Sequence, residues 1–176
     1  MTYIRNVLIG AAGIIAASAL ATGASAQVTG QSSAATAETK ASIIAPIKIT
    51  NTGNLDFGTI IRPTAPATDT VTITGSTRAA TSGNAGLIGG SAATSATFAV
   101  VGEPARAFTT TFDPSVTMSG AGGAELVVTI AAGGSNPTAI SGGGTATLTY
   151  GGSMPLTGAT ASGDYTGTLH VTVAYP

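Results

Sequence analysis

The chain contains no cysteine, no tryptophan and a single histidine among its 176 residues. A Cys/His dyad, a thiolate zinc site and a two-histidine metal motif therefore cannot be built from this chain alone. Charge is also scarce, with 6 Lys or Arg against 7 Asp or Glu and a formal net charge of -1. Binding to nucleic-acid phosphates needs a basic excess, so we expect no nucleic-acid partner.

The first 26 residues have the layout of a secretory signal peptide. One charge, Arg5, is followed by an apolar run from Val7 to Ala21 and then by small residues that end with Ala24 and Ala26. Small side chains at these two positions predict cleavage after Ala26. The alternative is a permanent membrane anchor, but the apolar run is shorter than the roughly 20 residues that span a bilayer. We expect an exported product in the periplasm, at the cell surface or outside the cell, with no membrane-spanning segment after cleavage.

The remainder of the chain favours strands over helices. The full sequence has 25 glycines and many Thr, Val and Ile, whereas helix-favouring charged residues are few. Residues 27–40 predict a flexible, polar lead-in, and residues 41–176 predict one domain. Short stretches alternate apolar and polar residues between glycine-rich turns, which is typical of an antiparallel immunoglobulin-like β-sandwich with Greek-key links. A closed β-barrel is the competing architecture.

Two stretches alternate most clearly. The first, Ala41–Ile49, presents Ile43, Ile47 and Ile49 on one face, and its Pro46 predicts a strand that lies at a sheet edge or pairs only in part. The second, Tyr165–Tyr175, predicts one long closing strand. Its apolar face carries Tyr165, Gly167, Leu169, Val171, Val173 and Tyr175.

Shorter alternations predict further strands, and the glycine-rich segment Gly75–Ala96 predicts a long surface loop or a weak hairpin. The inward residues of these strands are Val71 and Ile73, Phe98 and Val100, Phe108 and Phe112, Leu126, Val128 and Ile130, and Ala146, Leu148 and Tyr150. In the element Leu55-Asp56-Phe57-Gly58, Leu55 and Phe57 are predicted to point inward before a bend at Gly58.

The residues that could act in catalysis or bind a ligand do not form a recognisable site pattern. No glycine is followed by lysine, so the glycine clusters predict turns and not a phosphate loop, and the scattered acids do not have the spacing of a calcium site. We expect no cofactor, no metal and no catalytic residue. His170 is predicted to be an ordinary residue on the polar face of the closing strand. A glycosidase pair would have to come from Glu103, Asp113, Glu125 and Asp164, and their spacing does not select one.

Segments near the two ends of the domain resemble those of known bacterial domain families. The element Leu55-Asp56-Phe57-Gly58 follows an isoleucine-rich first strand, and the chain closes with Gly163-Asp164-Tyr165-Thr166-Gly167 and then Val171-Thr172-Val173-Ala174-Tyr175. In these features the chain resembles an uncharacterised family of exported bacterial domains. Similar closing strands occur in spore coat protein U-like domains and in chaperone-usher pilin subunits.

The pilin resemblance implies an immunoglobulin-like sandwich that lacks one strand and is completed by an N-terminal extension of the next subunit. Its implied partners are copies of the chain or related subunits and a periplasmic chaperone. The chain departs from pilins because it has no cysteine pair, because Pro176 follows Tyr175, and because residues 27–40 carry no aliphatic ladder. The segment Ala41–Ile49 either pairs within its own chain or is donated to a neighbour, and both arrangements are expected to bury Ile43, Ile47 and Ile49.

These observations lead to a functional hypothesis: an exported, non-enzymatic structural or adhesive surface protein, such as a pilin-like subunit that assembles by strand donation. The alternative is a β-sandwich module that binds carbohydrate or another surface polymer through exposed aromatic rings. An enzyme ranks third, because it would need a nucleophile and a carboxylate brought to His170 from loops.

Overall fold

The computed structural model describes residues 33–89, 93–134 and 136–176. The chain divides into two compact units, Met1–Ala41 and Ser42–Pro176. No helix in the described part of the chain is long and apolar enough to cross a membrane.

The first unit contains the predicted leader and lead-in. The proposed signal peptide, residues 1–26, lies outside the described residues, as do residues 27–32 of the lead-in. The described residues of this unit are exposed and have no regular secondary structure.

The described residues of the second unit are built almost entirely from strands. A 3₁₀ turn at Ala121–Gly123 is the one helical element among them. The strands are β1 Lys48–Gly53, β2 Ile60–Ile61, β3 Thr68–Thr74, β4 Thr77–Ala80, β5 Gly86–Leu87, β6 Ala96–Val101, β7 Thr109–Phe112, β8 Ser115–Gly120, β9 Glu125–Ala132, β10 Thr145–Thr157, β11 Tyr165–Thr166 and β12 Val171–Ala174. The predicted all-β class is therefore confirmed.

The strands pair in one large sheet and two small ladders, and each of these pairings is antiparallel. The large sheet follows the order β1-β6-β10-β9-β8-β11, with β3 paired to β10 and β4 paired to β3. The small ladders are β12-β7 and β2-β5.

Strand β10 connects the parts of the large sheet. Its first half, Thr145–Tyr150, pairs with β6, and its second half, Gly152–Thr157, pairs with β3, while Tyr150–Ser153 pairs with β9. Gly151 lies where the pairing passes from β6 to β3. A Cβ atom at this position would collide with the main-chain oxygen of Ile73, so the close approach of β3 requires glycine.

The predicted inward faces form the core. Val71, Val100 and Leu148 are fully buried, and the Tyr150 ring packs edge-on against Phe98 with 5.9 Å between ring centroids. Burial of these alternate side chains is the main free-energy gain that holds the sheets together, because the chain has no disulfide. The remaining buried apolar residues are Phe57, Ile73, Ala85, Ala96, Phe108, Val116, Val128, Ile130, Ile140, Met154 and Leu156.

The closing segment is not the single strand that its alternation predicted. It forms β11, which pairs with β8, and β12, which pairs with β7, and Gly167–His170 lies between these two ladders. The predicted alternation of exposure nevertheless holds, because Leu169, Val171, Val173 and Tyr175 are each less exposed than the residues between them.

The facing segment, from β7 to β8, explains why the closing segment does not form one continuous ladder. Six residues, 113–118, separate the paired residues Phe112 and Ser119, whereas four residues, 167–170, separate Val171 from Thr166. Two surplus residues on one side cannot stay in register with the other side. Pro114 also lacks the amide hydrogen that a continuous ladder would need at its position.

The first predicted strand is shorter than its alternation suggested. Pairing begins at Lys48 and not at Ala41, and β1 lies at the end of the sheet order. The edge position and partial pairing that Pro46 predicted are thus confirmed. The segment Gly75–Ala96 contains β4 and β5, and β4 forms a hairpin with β3, which agrees with the weak-hairpin alternative for this segment.

Candidate functional site

Two adjoining cavities form a groove at one side of the domain. Their volumes are about 740 Å³ and about 640 Å³, and they share Leu55, Asp56, Phe57, Met118 and Tyr165 as lining residues. We call this pair of cavities the groove. The larger cavity extends towards Arg62 and Ala161, and the smaller one towards Asn51 and Leu169.

The floor of the smaller cavity consists of core side chains. Phe98, Val116, Val128 and Ile130 line it, and each is 9% exposed or less. The larger cavity is floored by Met154 and Leu156, which are also buried, together with partly buried apolar residues. The groove therefore opens directly onto the hydrophobic core.

The first wall of the groove is the segment from Asn51 to Phe57. Asp56 exchanges two main-chain hydrogen bonds with Thr94, at 2.8 Å and 2.9 Å, and its Oδ1 accepts the amide hydrogen of Gly58 at 2.7 Å. Gly58 has φ +64°, which favours glycine at the bend. Leu55 and Phe57 point inward and Asp56 outward, as the sequence predicted.

An arginine supports this wall from behind. The Arg78 guanidinium donates to the main-chain oxygens of Phe57 at 2.7 Å, Thr59 at 3.3 Å and Ile88 at 2.6 Å. Three carbonyl acceptors on one planar cation fix the end of the wall relative to β4 and β5. Arg78 was not singled out from the sequence.

The second wall is the segment Tyr165–Leu169. Tyr165 and Thr166 pair with Gly120 and Ser119, and the chain then continues beside β8 without a ladder. A Cβ atom on Gly167 would lie 2.8 Å from Cγ1 of Val116, so glycine lets the main chain lie directly on the β8 side chains.

The end of the second wall is fixed by His170 and Asp113. Asp113 Oδ2 accepts the main-chain N–H of His170 at 3.0 Å and lies 2.8 Å from its Nδ1. The Asp113 amide donates to the His170 carbonyl oxygen at 3.2 Å. The backbone hydrogen bond from His170, followed by the bond from its ring, lowers the pKa of the Asp113 carboxyl below 3.8. His170 is thus not a simple strand residue, although the sequence predicted one.

A second polar cluster lies around Ala45, shortly before β1. The Tyr175 hydroxyl donates to the Ala45 carbonyl oxygen at 3.1 Å and accepts the Glu103 amide hydrogen at 2.7 Å. Glu103 Oε2 accepts the Ala45 amide hydrogen at 3.0 Å. Tyr175 and Glu103 together clamp Ala45, and Glu103 therefore serves this contact.

Asp69 is a buried carboxylate with four main-chain donors. It is 4% exposed and accepts amide hydrogens from Thr70, Ser82, Asn84 and Ala85 at 2.7–2.8 Å. The bonds from Ser82 and Ala85 are the main causes that lower its pKa below 3.8. These bonds hold the loop after β4 against β3.

The three isoleucines of the predicted inter-subunit strand differ in burial. Ile43 is 94% exposed, whereas Ile47 and Ile49 are partly buried against the core. Within the single chain Ile43 is therefore not buried, because pairing begins only at Lys48, and its burial in a neighbour stays a prediction. Ile49 lies in β1, which pairs with β6 of the same chain. Donation of the preceding segment to a neighbour stays a prediction.

The other predicted structural residues lie around the groove and the clamp. Leu55, Phe57, Gly58, Tyr165 and Gly167 line the groove. Val171 and Val173 pair with β7 and pack against the core, and Tyr175 forms the clamp. Across residues 33–89, 93–134 and 136–176, no three His, Asp or Glu side chains converge into a group that could hold a metal ion.

Comparison with curated proteins and with solved structures finds no match. The model of one protein family does match, over residues 47–175, a range that includes every strand from β1 to β12. This range contains both walls and the floor of the groove. The chain therefore belongs to the family described as domain of unknown function DUF4402.

Proposed function

We propose that this chain is an exported, non-enzymatic structural or adhesive subunit of the bacterial surface, pilin-like in assembling through strand donation. Export is supported by the signal-peptide layout of residues 1–26. We further propose that the antiparallel sheets form an immunoglobulin-like sandwich with one strand position open. The partners would be copies of the chain or related subunits, and a periplasmic chaperone would cover the open position before assembly.

The observation that carries the proposal is the groove over the core. Phe98, Val128 and Ile130 are core residues, yet they line a cavity of about 640 Å³ between two walls of extended chain. An added strand supplies alternate side chains that fill such a cavity, and its main chain pairs with an open strand edge beside it. The partly buried apolar residues of this lining, Leu55, Met118 and Leu169, would then bury more apolar surface than they bury in the single chain.

The segment before β1 has the properties of a donor. Ile43 is 94% exposed, although fully burying an Ile side chain is worth about 1.5–3 kcal/mol. Residues 42–47 carry no strand in the structure, and the Ala45 clamp ties the end of this segment to its own domain. A donor that is anchored at one end and unpaired before it can reach a second copy without disturbing β1.

The proposal can be tested with one donor variant and one acceptor variant of the mature chain. Ile43→Asp places a charge on the donor, and Ser42→Asp is its matched control at the neighbouring exposed position. Asn54→Trp fills the smaller cavity from the first wall, where Asn54 is exposed. Light scattering and electron microscopy would report the size of the assemblies.

The expected result is polymer from the unchanged chain and from Ser42→Asp, and monomer from either Ile43→Asp or Asn54→Trp alone. Mixing the two defective chains should give a dimer and nothing larger. Ile43→Asp retains only its groove, and Asn54→Trp retains only its donor. An unchanged chain that stays monomeric without a chaperone, and with chaperone present, would contradict the proposal.

Export is tested separately by the N-terminus of the protein recovered from outside the cytoplasm. Mass spectrometry should find Gln27 as the first residue if cleavage follows Ala26. A product that begins at Met1 and remains in the cytoplasmic fraction would contradict export.

A further inference from the structure

The second wall of the groove is held at its two ends and not along its middle. Tyr165 and Thr166 pair with β8, and His170 is bound by Asp113, whereas Gly167–Leu169 has no place in a described ladder. The register difference between the two segments causes this gap. The wall therefore has two fixed points and a short span between them.

The edge of β8 beneath this span is also open. Residues Ser115–Ser119 pair with β9 on one side, but only Ser119 and Gly120 pair with β11 on the other. The outer edge of Ser115–Met118 consequently faces the span without forming a ladder with it. An open strand edge is the surface to which another extended chain can add.

Little apolar burial holds the span over this edge. Gly167 has no side chain, Thr168 is exposed, and only Leu169 packs partly buried against the core. Segments with few buried apolar contacts open at low free-energy cost. The hydrogen bonds between His170 and Asp113 are therefore the fixed contact at this end of the span.

We propose that the Asp113–His170 pair is a latch and that Gly167–Leu169 is a movable wall of the groove. Release of the latch lets the wall move away from β8, and the added strand then pairs with the edge of Ser115–Met118. This inference rests on the proposed function, because it assigns the edge to which the donor strand adds and the contact that controls access to it.

The latch is tested first without any donor. Amide hydrogen exchange would be measured on the mature protein, on Asp113→Ala and His170→Gln, and on Glu125→Gln, which removes an exposed charge from β9. We expect exchange at the amide of residue 113, which donates to the carbonyl oxygen of residue 170, to rise by about tenfold in Asp113→Ala and less in His170→Gln, which keeps its main-chain donor. Exchange in β9 and β10 should not change, and Glu125→Gln should match the unchanged protein.

Unchanged exchange at the amide of residue 113 in both latch variants would overturn the latch. An equal rise in β9 and β10 would also overturn it, because the wall would then not move separately from the domain. His170→Gln keeps the test valid if Asp113→Ala does not fold.

The second measurement adds a synthetic peptide of residues 41–47, the segment before β1, as the donor. We expect faster association with the latch variants than with the unchanged protein and Glu125→Gln. Equal rates would overturn the gating role and leave strand donation intact. If no protein binds the peptide while exchange at the amide of residue 113 rises in the latch variants, strand addition at the groove is contradicted and the latch itself is preserved.

Discussion

The carboxylate of Asp113 binds His170 twice, through the main-chain N–H at 3.0 Å and through the ring Nδ1 at 2.8 Å, both on the same oxygen. A carboxylate can only accept, so Nδ1 carries the hydrogen in this contact. Asp113 lies in the turn from β7 to β8, and His170 precedes β12. The Asp113 side chain therefore joins two connections: the turn from β7 to β8 and the segment from β11 to β12.

This contact predicts how stability depends on pH. The pKa of Asp113 is lowered from 3.8 in the folded chain, chiefly by the His170 main-chain donor. Its contribution to the free energy of unfolding is therefore complete above its unfolded pKa and is lost as the pH falls through the lower, folded pKa. Urea unfolding between about pH 6 and pH 2 should show a weaker pH dependence for Asp113→Asn than for the unchanged chain. Parallel curves for the two proteins would contradict this assignment.

Gly151 predicts a severe local effect of a small substitution. In Gly151→Ala the new methyl group meets the main-chain oxygen of Ile73, and β3 must move away from β10. We expect a loss of more than about 2 kcal/mol in the free energy of unfolding. Gly142→Ala is the control, since nothing lies within 4 Å of its Cβ position, and it should change stability by less than about 0.5 kcal/mol. Similar losses in the two variants would show that the close approach is not what requires glycine.

The fold class and the inward faces could be predicted from the sequence because two-residue alternation is a local property. Val71, Val100 and Leu148 are buried as that alternation predicted. The break in the closing strand was missed because its cause lies in the other segment, at Asp113 and Pro114. Register between distant segments depends on both partners, so one segment cannot show it.

The site was harder to predict for the same reason. Gly167 was assigned to the inward face of the closing strand, but the groove beside it is lined by residues from segments far apart in sequence, such as Leu55, Phe98 and Val116. The Ala45 clamp joins residues far apart in sequence, and no local pattern marks it. Asp69 did leave a signal, because it shares the inward parity of Val71 and Ile73, and a carboxylate on a buried face must find donors.

The clamp predicts a measurable role for one hydroxyl group. Tyr175→Phe removes the acceptor of the Glu103 amide and the donor to the Ala45 carbonyl, while the ring remains. We expect a loss of about 1–2 kcal/mol in the free energy of unfolding. Tyr165→Phe is the control because its hydroxyl makes one exposed bond, to the Ala161 carbonyl at 2.9 Å, and its loss should be smaller. Exchange at the Glu103 amide, which loses its acceptor, should rise in Tyr175→Phe alone, and an equal rise in both variants would contradict the clamp.

The buried carboxylate of Asp69 predicts the strongest effect of removing a single charge. Each of its oxygens accepts two main-chain hydrogen bonds: Oδ1 from Thr70 and Ser82, and Oδ2 from Asn84 and Ala85. Asn has nearly the same shape as Asp, but in Asp69→Asn the side-chain NH₂ group replaces one carboxylate oxygen. This NH₂ group would then face two main-chain N–H groups that need an acceptor. Buried donors left without an acceptor cost more than the bond itself contributes. We therefore expect a lower unfolding temperature and fast amide exchange at residues 82–85.

The matched control for Asp69 lies in the same loop. Asn84→Ala removes one exposed side-chain bond, to the Thr68 carbonyl at 3.2 Å, and leaves the Asn84 main-chain donor on Asp69. It should lower the unfolding temperature less than Asp69→Asn. The folded pKa of Asp69 is lowered, so its contribution is also lost on acidification, and the difference between Asp69→Asn and the unchanged chain should shrink as the pH falls through that pKa. A difference that stays constant down to about pH 2 would mean that shape, and not the charge, is what the loop requires.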